Sequence, residues 1–424
     1  MNVTDRILPD RTLAALAQGY TWLPGLLRHA PGGAAATRVL GRPALAVRGP
    51  EAVRFFYDED HVRRSGALPG PVLSTVFGHG AVHTLDGDAH RARKRLFLPL
   101  LHADRITALV EHAIPAWDDA VRDWGAAEQV VLFDAVAEVL TRGVCRWAGV
   151  PVDEADGETE RLAHDLVAMV DGFATAGPRH WRARRARSRQ EQRFTRLVED
   201  VRAGRTDAPA GSVLAAVCHH REATGEELDA HTAAVELLNV VRPTVAVAWF
   251  VAYAAHALHR WPQHRERLRG GELSYAAAFV HEVRRFYPFA PYLGGVAVRD
   301  LSWQGVAVPA GGLVLLDVFG QNHDAGLWGD PYTFRPERFR RHVVDRDELI
   351  PQGGGDPATG HRCPGEGLTI GLLEALAQRL AALDYTVPPQ DLRISLRRLP
   401  ARVADGFVMR DVHVPAAPRT VHAA

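Results

Sequence analysis

Gly353-Gly354-Gly355, followed by Gly360-His361-Arg362-Cys363-Pro364-Gly365-Glu366, is the stretch that decides how this chain is interpreted. Leucines at positions 373, 376, 380 and 383 follow at helical spacing, which predicts a core helix directly behind it. The glycines allow the loop backbone to lie close to a flat group. Pro364 suits the first position of a helix, which would place Cys363 at the N-cap, where free N–H groups and the helix dipole favour a thiolate. The stretch therefore predicts a metal-ligating thiolate in preference to a buried structural cysteine.

The composition is that of a globular protein with a large core, since 47% of the 424 residues are hydrophobic and 24% are charged. The formal net charge is zero, so no overall field would attract nucleic acid or an anionic membrane surface. The three cysteines, Cys145, Cys218 and Cys363, give no disulfide framework and fit a reducing compartment. The N-terminus has no signal-peptide pattern, and charge-free stretches look too short to span a bilayer. We therefore expect a cytoplasmic protein without a membrane span.

Helical patterns dominate the chain from about residue 89 to residue 268. This region includes helices from Ile106 to Trp124, Gln129 to Trp147 and Glu158 to Phe173, and a short helix is predicted earlier, from Pro50 to Tyr57. Paired strands are predicted from Thr37 to Val47, and apolar residues alternate with a period of two between Gly294 and Asp317. No clear linker is visible. We therefore expect one mainly α domain with a small β subdomain over residues 1–424, with a frayed tail from about residue 415.

A long helix is predicted from Asp229 to His259, interrupted in its apolar middle by Asn239-Val240-Val241-Arg242-Pro243. A proline in a helix interior costs about 3 kcal/mol, and a buried arginine must be paired. Two such costs at adjacent positions indicate a function. In one interpretation Arg242 points into a cavity and binds an anionic group, such as a carboxylate, in a bidentate pair. In the other it pairs with an internal acid such as Glu236, and the sequence does not decide between them.

Glu282-Val283-Arg284-Arg285 is predicted to lie in a helix that begins near Tyr275. Glu282 and Arg285 then share one face and can pair. Alone, this pattern is typical of a surface ion pair. The pattern becomes informative together with Pro336-Glu337-Arg338-Phe339, because Arg338 could join Glu282 and Arg285 in a three-residue network.

The turn Asp86-Gly87 predicts the start of a helix that carries His90 and Lys94 one turn apart on the same face. The two basic side chains form a candidate anion clamp. His83 lies just before this turn, and a lone histidine more often has a structural role than a functional one.

A basic run also lies between positions 182 and 189. Its members are Arg182, Arg184, Arg185, Arg187 and Arg189. The run could bind a partner, but a solvated helix face is the favoured interpretation.

Taken together, these residues resemble the cytochrome P450 superfamily of haem-thiolate enzymes over nearly the whole chain. Within it, the match is closest to the fatty-acid peroxygenases, which hydroxylate or decarboxylate fatty acids with hydrogen peroxide. The resemblance implies the P450 fold, with haem b buried between a long central helix and the cysteine loop. It implies Cys363 as the axial ligand of the haem iron. The triad that it implies behind the haem is Glu282, Arg285 and Arg338, and the propionate-binding residues are His90, Lys94 and His361, with Arg64 as a less direct match.

Two departures from the common superfamily pattern are shared with the peroxygenase branch. The usual phenylalanine seven residues before the cysteine is replaced by Asp356, in a longer glycine-rich loop. The usual small residue and acid–alcohol pair of the central helix, which relay protons in dioxygen activation, are replaced by Arg242-Pro243-Thr244-Val245-Ala246. Both departures argue against a monooxygenase that depends on a redox partner.

The resemblance implies that Arg242 binds the carboxylate of a fatty acid and that this carboxylate serves as the general acid–base. Oxidation is then expected at Cα or Cβ. The product would be a 2- or 3-hydroxy acid, or a terminal alkene after loss of carbon dioxide, and the sequence leaves both outcomes open. Because hydrogen peroxide supplies oxygen and electrons, no redox partner is expected.

The remaining site residues also follow from the resemblance. His83, as a catalytic candidate, and Phe77 are placed in the distal pocket. The residues expected along the substrate chain are Pro243, Phe289, Pro291 and Leu293, with Phe173 as a further candidate. Two alternatives stay open, a redox-partner-dependent monooxygenase and a non-catalytic haem-thiolate protein that binds fatty acids.

Overall fold

The computed structural model describes residues 8–222, 224–341 and 343–414. Helices make up 53% of it, so the expected mainly α class is confirmed. The helices are α1 (Thr12–Gln18), α2 (Trp22–Leu27), α3 (Pro50–Tyr57), α4 (Gly70–Val72), α5 (Gly87–Lys94), α6 (Ala103–Ala126), α7 (Leu132–Ala148), α8 (Glu158–Asp171), α9 (Pro178–Arg202), α10 (Val213–Cys218), α11 (Ala230–Val245), α12 (Val247–Arg260), α13 (Gln263–Arg269), α14 (Leu273–Phe286), α15 (Val318–Asn322), α16 (Ala325–Trp328), α17 (Arg338–Arg341) and α18 (Glu366–Ala382). The strands are β1 (Ala34–Val39), β2 (Arg42–Val47), β3 (Val62–Arg63), β4 (Val130–Val131), β5 (Tyr292–Ala297), β6 (Leu301–Trp303), β7 (Val306–Val308), β8 (Leu313–Asp317), β9 (Asp384–Thr386) and β10 (Val408–His413). The tail expected from about residue 415 lies outside the described residues.

The small β region is centred on a five-stranded sheet in the order β1-β2-β8-β5-β3. Its neighbours are antiparallel except β2 and β8, which run parallel and align Ala44 with Leu313. All five residues of β8 are buried, as expected for a central strand that is covered on both faces. The paired strands and the period-two segment predicted from the sequence are thus confirmed as β1, β2, β5 and β8.

The helical core is built around α18 and the helices that pack on it. Leu373, Leu376 and Leu380 are all fully buried, so the predicted core helix behind the cysteine is confirmed. Leu383 lies one residue beyond the helix and forms its C-cap. Because α18 packs against α6, α12 and α14, the loop that precedes it is fixed from several directions.

The predicted long helix is divided into α11 and α12, which are separated by Ala246. The sequence predicts the interruption at residues 239–243, but the break lies three residues after Pro243. Pro243 is accommodated inside α11, because one missing N–H donor does not by itself end a helix. The stretch Ala230–Arg260 is long and apolar enough to cross a membrane by length and composition alone, but 94% of its most apolar window is buried inside the protein.

The three-residue network predicted from Glu282, Arg285 and Arg338 is present. Arg285 donates two hydrogen bonds of 2.8 Å to the Glu282 carboxylate, and Arg338 Nε lies 3.0 Å from Glu282 Oε2. Arg285 also donates to the carbonyl oxygen of Pro331 at 2.9 Å. Since Glu282 and Arg285 are fully buried, this pairing is what makes their charges tolerable. The network fixes the segment from Pro331 to Arg338 against α14.

Candidate active site

A cavity of about 410 Å³ is lined both by the cysteine loop and by the junction of α11 and α12. Its volume is within the usual range for ligand sites. The residues proposed from the sequence that line it are Arg64, Phe77, His83, His90, Lys94, Phe173, Arg242, Pro243, Phe289, Pro291, Leu293, His361 and Cys363. The fold therefore brings together side chains that are almost 300 positions apart in the sequence, from Arg64 to Cys363.

Cys363 lies just outside the helix that was expected to begin beside it. Helix α18 begins at Glu366 with Gly365 as its N-cap, so the prediction that Cys363 forms the N-cap is wrong by two positions. Pro364 and Gly365 form a turn between the cysteine and the helix. The Cys363 N–H donates to the carbonyl oxygen of Gln352 at 3.2 Å, which ties the cysteine back to the start of the loop.

The surroundings of the Cys363 thiol act on its ionisation in opposite directions. Burial raises the pKa of this thiol, and the Gly365 N–H, Lys94 and Arg284 oppose that effect only in part. The Gly365 N–H at the helix terminus does favour the thiolate, as expected, but burial of the thiol outweighs it. A coordinated metal ion deprotonates such a thiol directly.

The glycine-rich loop is shaped by its contact with α3. A Cβ atom at Gly353 would collide with the Tyr57 hydroxyl, and one at Gly354 would collide with Val53. Gly353 also has a φ of +95°, which side chains rarely adopt. Close packing against α3 is thus a reason for these glycines that the sequence did not reveal.

Basic side chains with unused hydrogen-bonding capacity form one part of the cavity wall. The rings of His90 and His361 stack with centroids 3.8 Å apart. Among the described residues, His90 Nδ1 has no hydrogen-bond partner, and His361 Nε2 has only a 3.7 Å contact with Asp86 Oδ1. Lys94 donates to the carbonyl oxygens of Gly360 and Arg362, and Arg64 donates to the Gly294 carbonyl oxygen at 3.2 Å. These donors suit a ligand that carries acidic groups.

The donor set fits a haem. A half-buried cysteine supplies the sulfur ligand that a haem iron accepts, and the cluster of His90, His361, Lys94 and Arg64 suits two propionates. Apolar side chains such as Phe97, Leu101 and Leu368 cover much of the remaining wall. The fold and the site together define a haem-thiolate protein.

Arg242 is buried, and it has no acidic partner in the part of the chain that the structure describes. The residue is 6% exposed, and its single side-chain hydrogen bond within the described chain is a 3.3 Å bond to Asn239 Oδ1. Its Nε atom has no partner among the described residues. Burial, followed by the positive charge of Arg187, lowers the pKa of Arg242 to about 9, so the side chain is still a cation at neutral pH.

Glu236, the acid considered as a partner for Arg242, is used elsewhere. Its carboxylate accepts hydrogen bonds from Arg93 Nη1 at 2.6 Å and from the Val82 N–H at 2.8 Å. The other oxygen accepts from Asn239 Nδ2 at 3.1 Å. Asn239 therefore connects Glu236 to Arg242 without neutralising the arginine, and of the two sequence interpretations the structure favours a cation directed to the cavity.

His83 and Phe77 meet Arg242 on the same side of the cavity. The rings of Phe77 and His83 have centroids 4.6 Å apart, and Arg242 Cζ lies 6.0 Å from the Phe77 centroid. Burial, with the charge of Arg242 as the next cause, lowers the pKa of His83 to about 3. His83 is therefore neutral at physiological pH and can form hydrogen bonds without adding a charge.

The apolar part of the cavity contains the expected residues and others that the sequence did not single out. Phe289 packs on Phe250 with ring centroids 5.0 Å apart, and its carbonyl oxygen accepts a 2.6 Å hydrogen bond from Tyr20. Phe250 and Val170, which the sequence did not indicate, also line the cavity. The network around Glu236 was missed as well, although an acidic residue on the apolar face of a core helix was a usable signal.

Comparison with known proteins identifies the family. The sequence model of the cytochrome P450 family matches residues 262–391. A solved structure of cytochrome P450SP alpha (CYP152B1) with (R)-ibuprofen is 42% identical, with 96% of this chain and 99% of that chain covered and a TM-score of 0.92. A single-residue variant of cytochrome P450 OleT with arachidonic acid is 36% identical, with 98% of this chain and 99% of that chain covered and a TM-score of 0.93. Cytochrome P450EX alpha (CYP152N1) with myristic acid is 34% identical, with 97% and 100% covered and a TM-score of 0.91.

The chain therefore belongs to the cytochrome P450 family, and within it is similar to CYP152 members. The resemblance noted from the sequence and the expected P450 fold are both confirmed. Membership implies an oxidoreductase whose haem iron is bound by a cysteine thiolate, and Cys363 is the cysteine that lies in the cavity.

Proposed function

We propose that this protein uses hydrogen peroxide to oxidise fatty acids at Cα or Cβ. The observation that carries the proposal is Arg242, a buried cation that faces the cavity and has no acidic partner among the described residues. A buried cation of this kind is strongly stabilised by an anionic ligand. Arachidonic acid, myristic acid and ibuprofen, the ligands of the three similar structures, are all carboxylic acids.

The residues around Arg242 suggest how the carboxylate is used. Arg242 binds one carboxylate oxygen, while its contact with Asn239 fixes the direction of the guanidinium. The bound carboxylate then takes a proton from one oxygen of hydrogen peroxide and returns it to the other, so that no side-chain acid is required. A thiolate-ligated haem supplies the electron donation that favours O–O cleavage. His83, being neutral, offers a hydrogen bond beside the carboxylate without competing with Arg242 for it.

Two overall reactions are consistent with this arrangement. In hydroxylation, one fatty acid and one hydrogen peroxide give one hydroxy acid and one water. In oxidative decarboxylation, they give one terminal alkene, one carbon dioxide and two waters. In both, the oxidised carbon lies next to the anchored head, because Arg242 fixes the carboxylate end of the chain.

The decisive experiment is turnover with hydrogen peroxide alone. The haem-loaded protein is incubated with fatty acids of graded length, without reductase, and products are identified by mass spectrometry. We expect 2- or 3-hydroxy acids, terminal alkenes, or both, and no product from the corresponding methyl esters. Product formation that requires an electron-transfer partner would favour the monooxygenase, and binding without product would favour a fatty-acid carrier.

Replacement of Arg242 tests the role of the cation. Arg242→Ala should keep the absorption of the reduced carbon monoxide complex and lose fatty-acid turnover by about 100-fold or more, because head-group orientation is lost. Arg260→Ala, at the exposed end of α12, is the matched control and should behave as the wild type. Unchanged turnover in Arg242→Ala would contradict the proposed role of the arginine.

A further inference from the structure

Arg187 does not fit the solvated helix face predicted for the basic run. The run lies in α9, where Arg182, Arg184, Arg185 and Arg189 are exposed, as predicted. Arg187, in contrast, is 2% exposed. A buried guanidinium must have its donors satisfied, so its partners indicate what it does.

The partners of Arg187 are an acid on its own helix and two carbonyl groups of a distant segment. Its Nε donates to Glu191 Oε1 at 2.6 Å. Its Nη1 and Nη2 donate to the carbonyl oxygens of Val76 and Phe77 at 2.7 and 3.0 Å. These carbonyls end the π-helical turn Leu73–Phe77, which carries the Phe77 ring into the cavity wall. The rigid fork of the guanidinium can hold both carbonyls at once, which a lysine ammonium cannot do in the same geometry.

The residue that follows Phe77 leaves room for this guanidinium. A Cβ atom at Gly78 would collide with Arg187 Nη2 and would lie 2.9 Å from Val235 Cγ1. Gly78 also has a φ of +87°, a conformation that favours glycine. The close approach of Arg187 to the chain is therefore matched by the local sequence.

The opposite end of the same segment is held by buried charges as well. Glu236 of α11 accepts from the Val82 N–H at 2.8 Å, and Arg93 of α5 donates to the Gly80 carbonyl oxygen at 3.1 Å. Residues 76–82 are thus fixed through their backbone by three helices. Phe77 is the second residue of this segment and His83 follows it directly, and their rings are in contact.

We propose that Arg187 is a positioning residue that sets how Phe77 and His83 meet the substrate carbons next to the carboxylate. This role rests on the proposed function, since it concerns where the anchored fatty acid is oxidised. Arg187 acts through the backbone of Val76 and Phe77 and does not itself line the cavity. It determines the distribution of products, whereas Arg242 determines that a carboxylate is bound.

The test uses haem-loaded Arg187→Lys and Arg187→Gln, with Arg184→Lys as a matched control on the exposed face of the same helix. Amide hydrogen exchange is measured by mass spectrometry on peptides that cover residues 73–82. Myristic acid is the probe in two further measurements. Its binding is measured by the change in haem absorption, and its product ratio is measured after reaction with hydrogen peroxide. We expect faster exchange in both Arg187 variants, a product ratio changed by about twofold or more, and a kcat lowered by about tenfold. The binding constant of Arg187→Lys should stay within about threefold of the wild type, because the positive charge is kept.

Several outcomes would overturn the proposal. If Arg187→Lys shows the hydrogen exchange and the product ratio of the wild type, a positive charge at this position is enough and the guanidinium geometry is not needed. If the variants lose myristic acid binding while the product ratio stays unchanged, Arg187 acts on substrate binding through its charge and not on the position of Phe77. Gly78→Ala should reproduce the altered product ratio with Arg187 present, so an unchanged ratio there also counts against the proposal. A wild-type protein that forms no product with peroxide would refute the proposed function. In that case the exchange of residues 73–82 still decides whether Arg187 anchors this segment.

Discussion

Asp317, the last residue of β8, is a fully buried carboxylic acid outside the active site. Its Oδ1 accepts the Gly320 N–H at 2.8 Å at the start of α15. Its Oδ2 has no hydrogen-bond partner among the described residues and lies 3.7 Å from Arg48 Nη1. Burial dominates over these contacts and raises the pKa of Asp317 to about 7.

The raised pKa makes the stability of the protein depend on pH. Between about pH 4 and pH 7 the folded protein keeps a proton on Asp317 that the unfolded chain releases. The contribution of this residue to the free energy of unfolding therefore falls as the pH rises through this range. Asp317→Asn keeps an oxygen for the Gly320 N–H but cannot ionise. We expect the variant to gain stability relative to the wild type as the pH rises from 5 to 8, by up to about 3 kcal/mol.

Denaturant unfolding at several pH values measures this difference. Asp123→Asn, on the exposed face of α6, controls for the general loss of a carboxylate. A stability difference between Asp317→Asn and the wild type that is constant from pH 5 to pH 8 would contradict the prediction.

At the scale of elements, α6 and α7 pack with very little space between them. A Cβ atom at Gly143 of α7 would lie 2.9 Å from Ala113 Cα and 3.1 Å from Ala113 Cβ. The contacting atoms of Ala113 are its Cα and its Cβ, which no side-chain rotation can move away. Gly143 therefore sets the distance between two helices of the main core.

Gly143→Ala should destabilise the protein in spite of the higher helix propensity of alanine. We expect a loss of about 1–3 kcal/mol in the free energy of unfolding, because the two helices must separate. Gly25→Ala is the matched comparison, since Gly25 lies inside α2 with open space around its Cα. That variant should gain about 0.5–1 kcal/mol. If the two substitutions change the free energy of unfolding equally, the close contact between Gly143 and Ala113 does not determine the cost of a side chain at position 143.

At the scale of the whole molecule, haem binding should stabilise the fold. The cavity is lined by residues from α5, α11, α12, β5 and the cysteine loop, so one ligand contacts parts of both the helical and the sheet regions. A group that binds the folded state alone adds about 4 kcal/mol when its concentration is 1,000 times its dissociation constant. Removal of haem should lower the unfolding temperature by several degrees, and its return should restore it. Scanning calorimetry of the two forms measures this, and identical transitions would contradict the prediction.

The sequence was sufficient to predict those features of the fold and of the site that depend on the spacing of residues close together in the chain. The core helix behind Cys363, the Glu282–Arg285 pair and the His90–Lys94 face all follow from periodicity within a few residues. The N-cap predicted at Cys363 was two residues too early, and the interruption predicted at residues 239–243 lies three residues after Pro243, because tertiary contacts decide where a helix ends.

Long-range pairing could not be predicted in the same way. Arg93 and Glu236 are separated by 143 positions, and nothing in the sequence links them. The burial of Arg187 could not be predicted for a different reason. Two of its hydrogen-bond acceptors are backbone carbonyl groups, which leave no signal in the pattern of side chains along the sequence. The single-domain organisation of residues 1–424 and the cytoplasmic location stay predictions.

The charge of Arg242, which has no acidic partner among the described residues, would affect the end of the proposed catalytic cycle. If Arg242 anchors the substrate as proposed, a hydroxy acid would keep the carboxylate that anchored it and would compete with the next fatty acid for the same guanidinium. An alkene and carbon dioxide retain no such head group. The two reactions would therefore differ in product inhibition, with hydroxylation slowing as product accumulates and decarboxylation clearing the site each time.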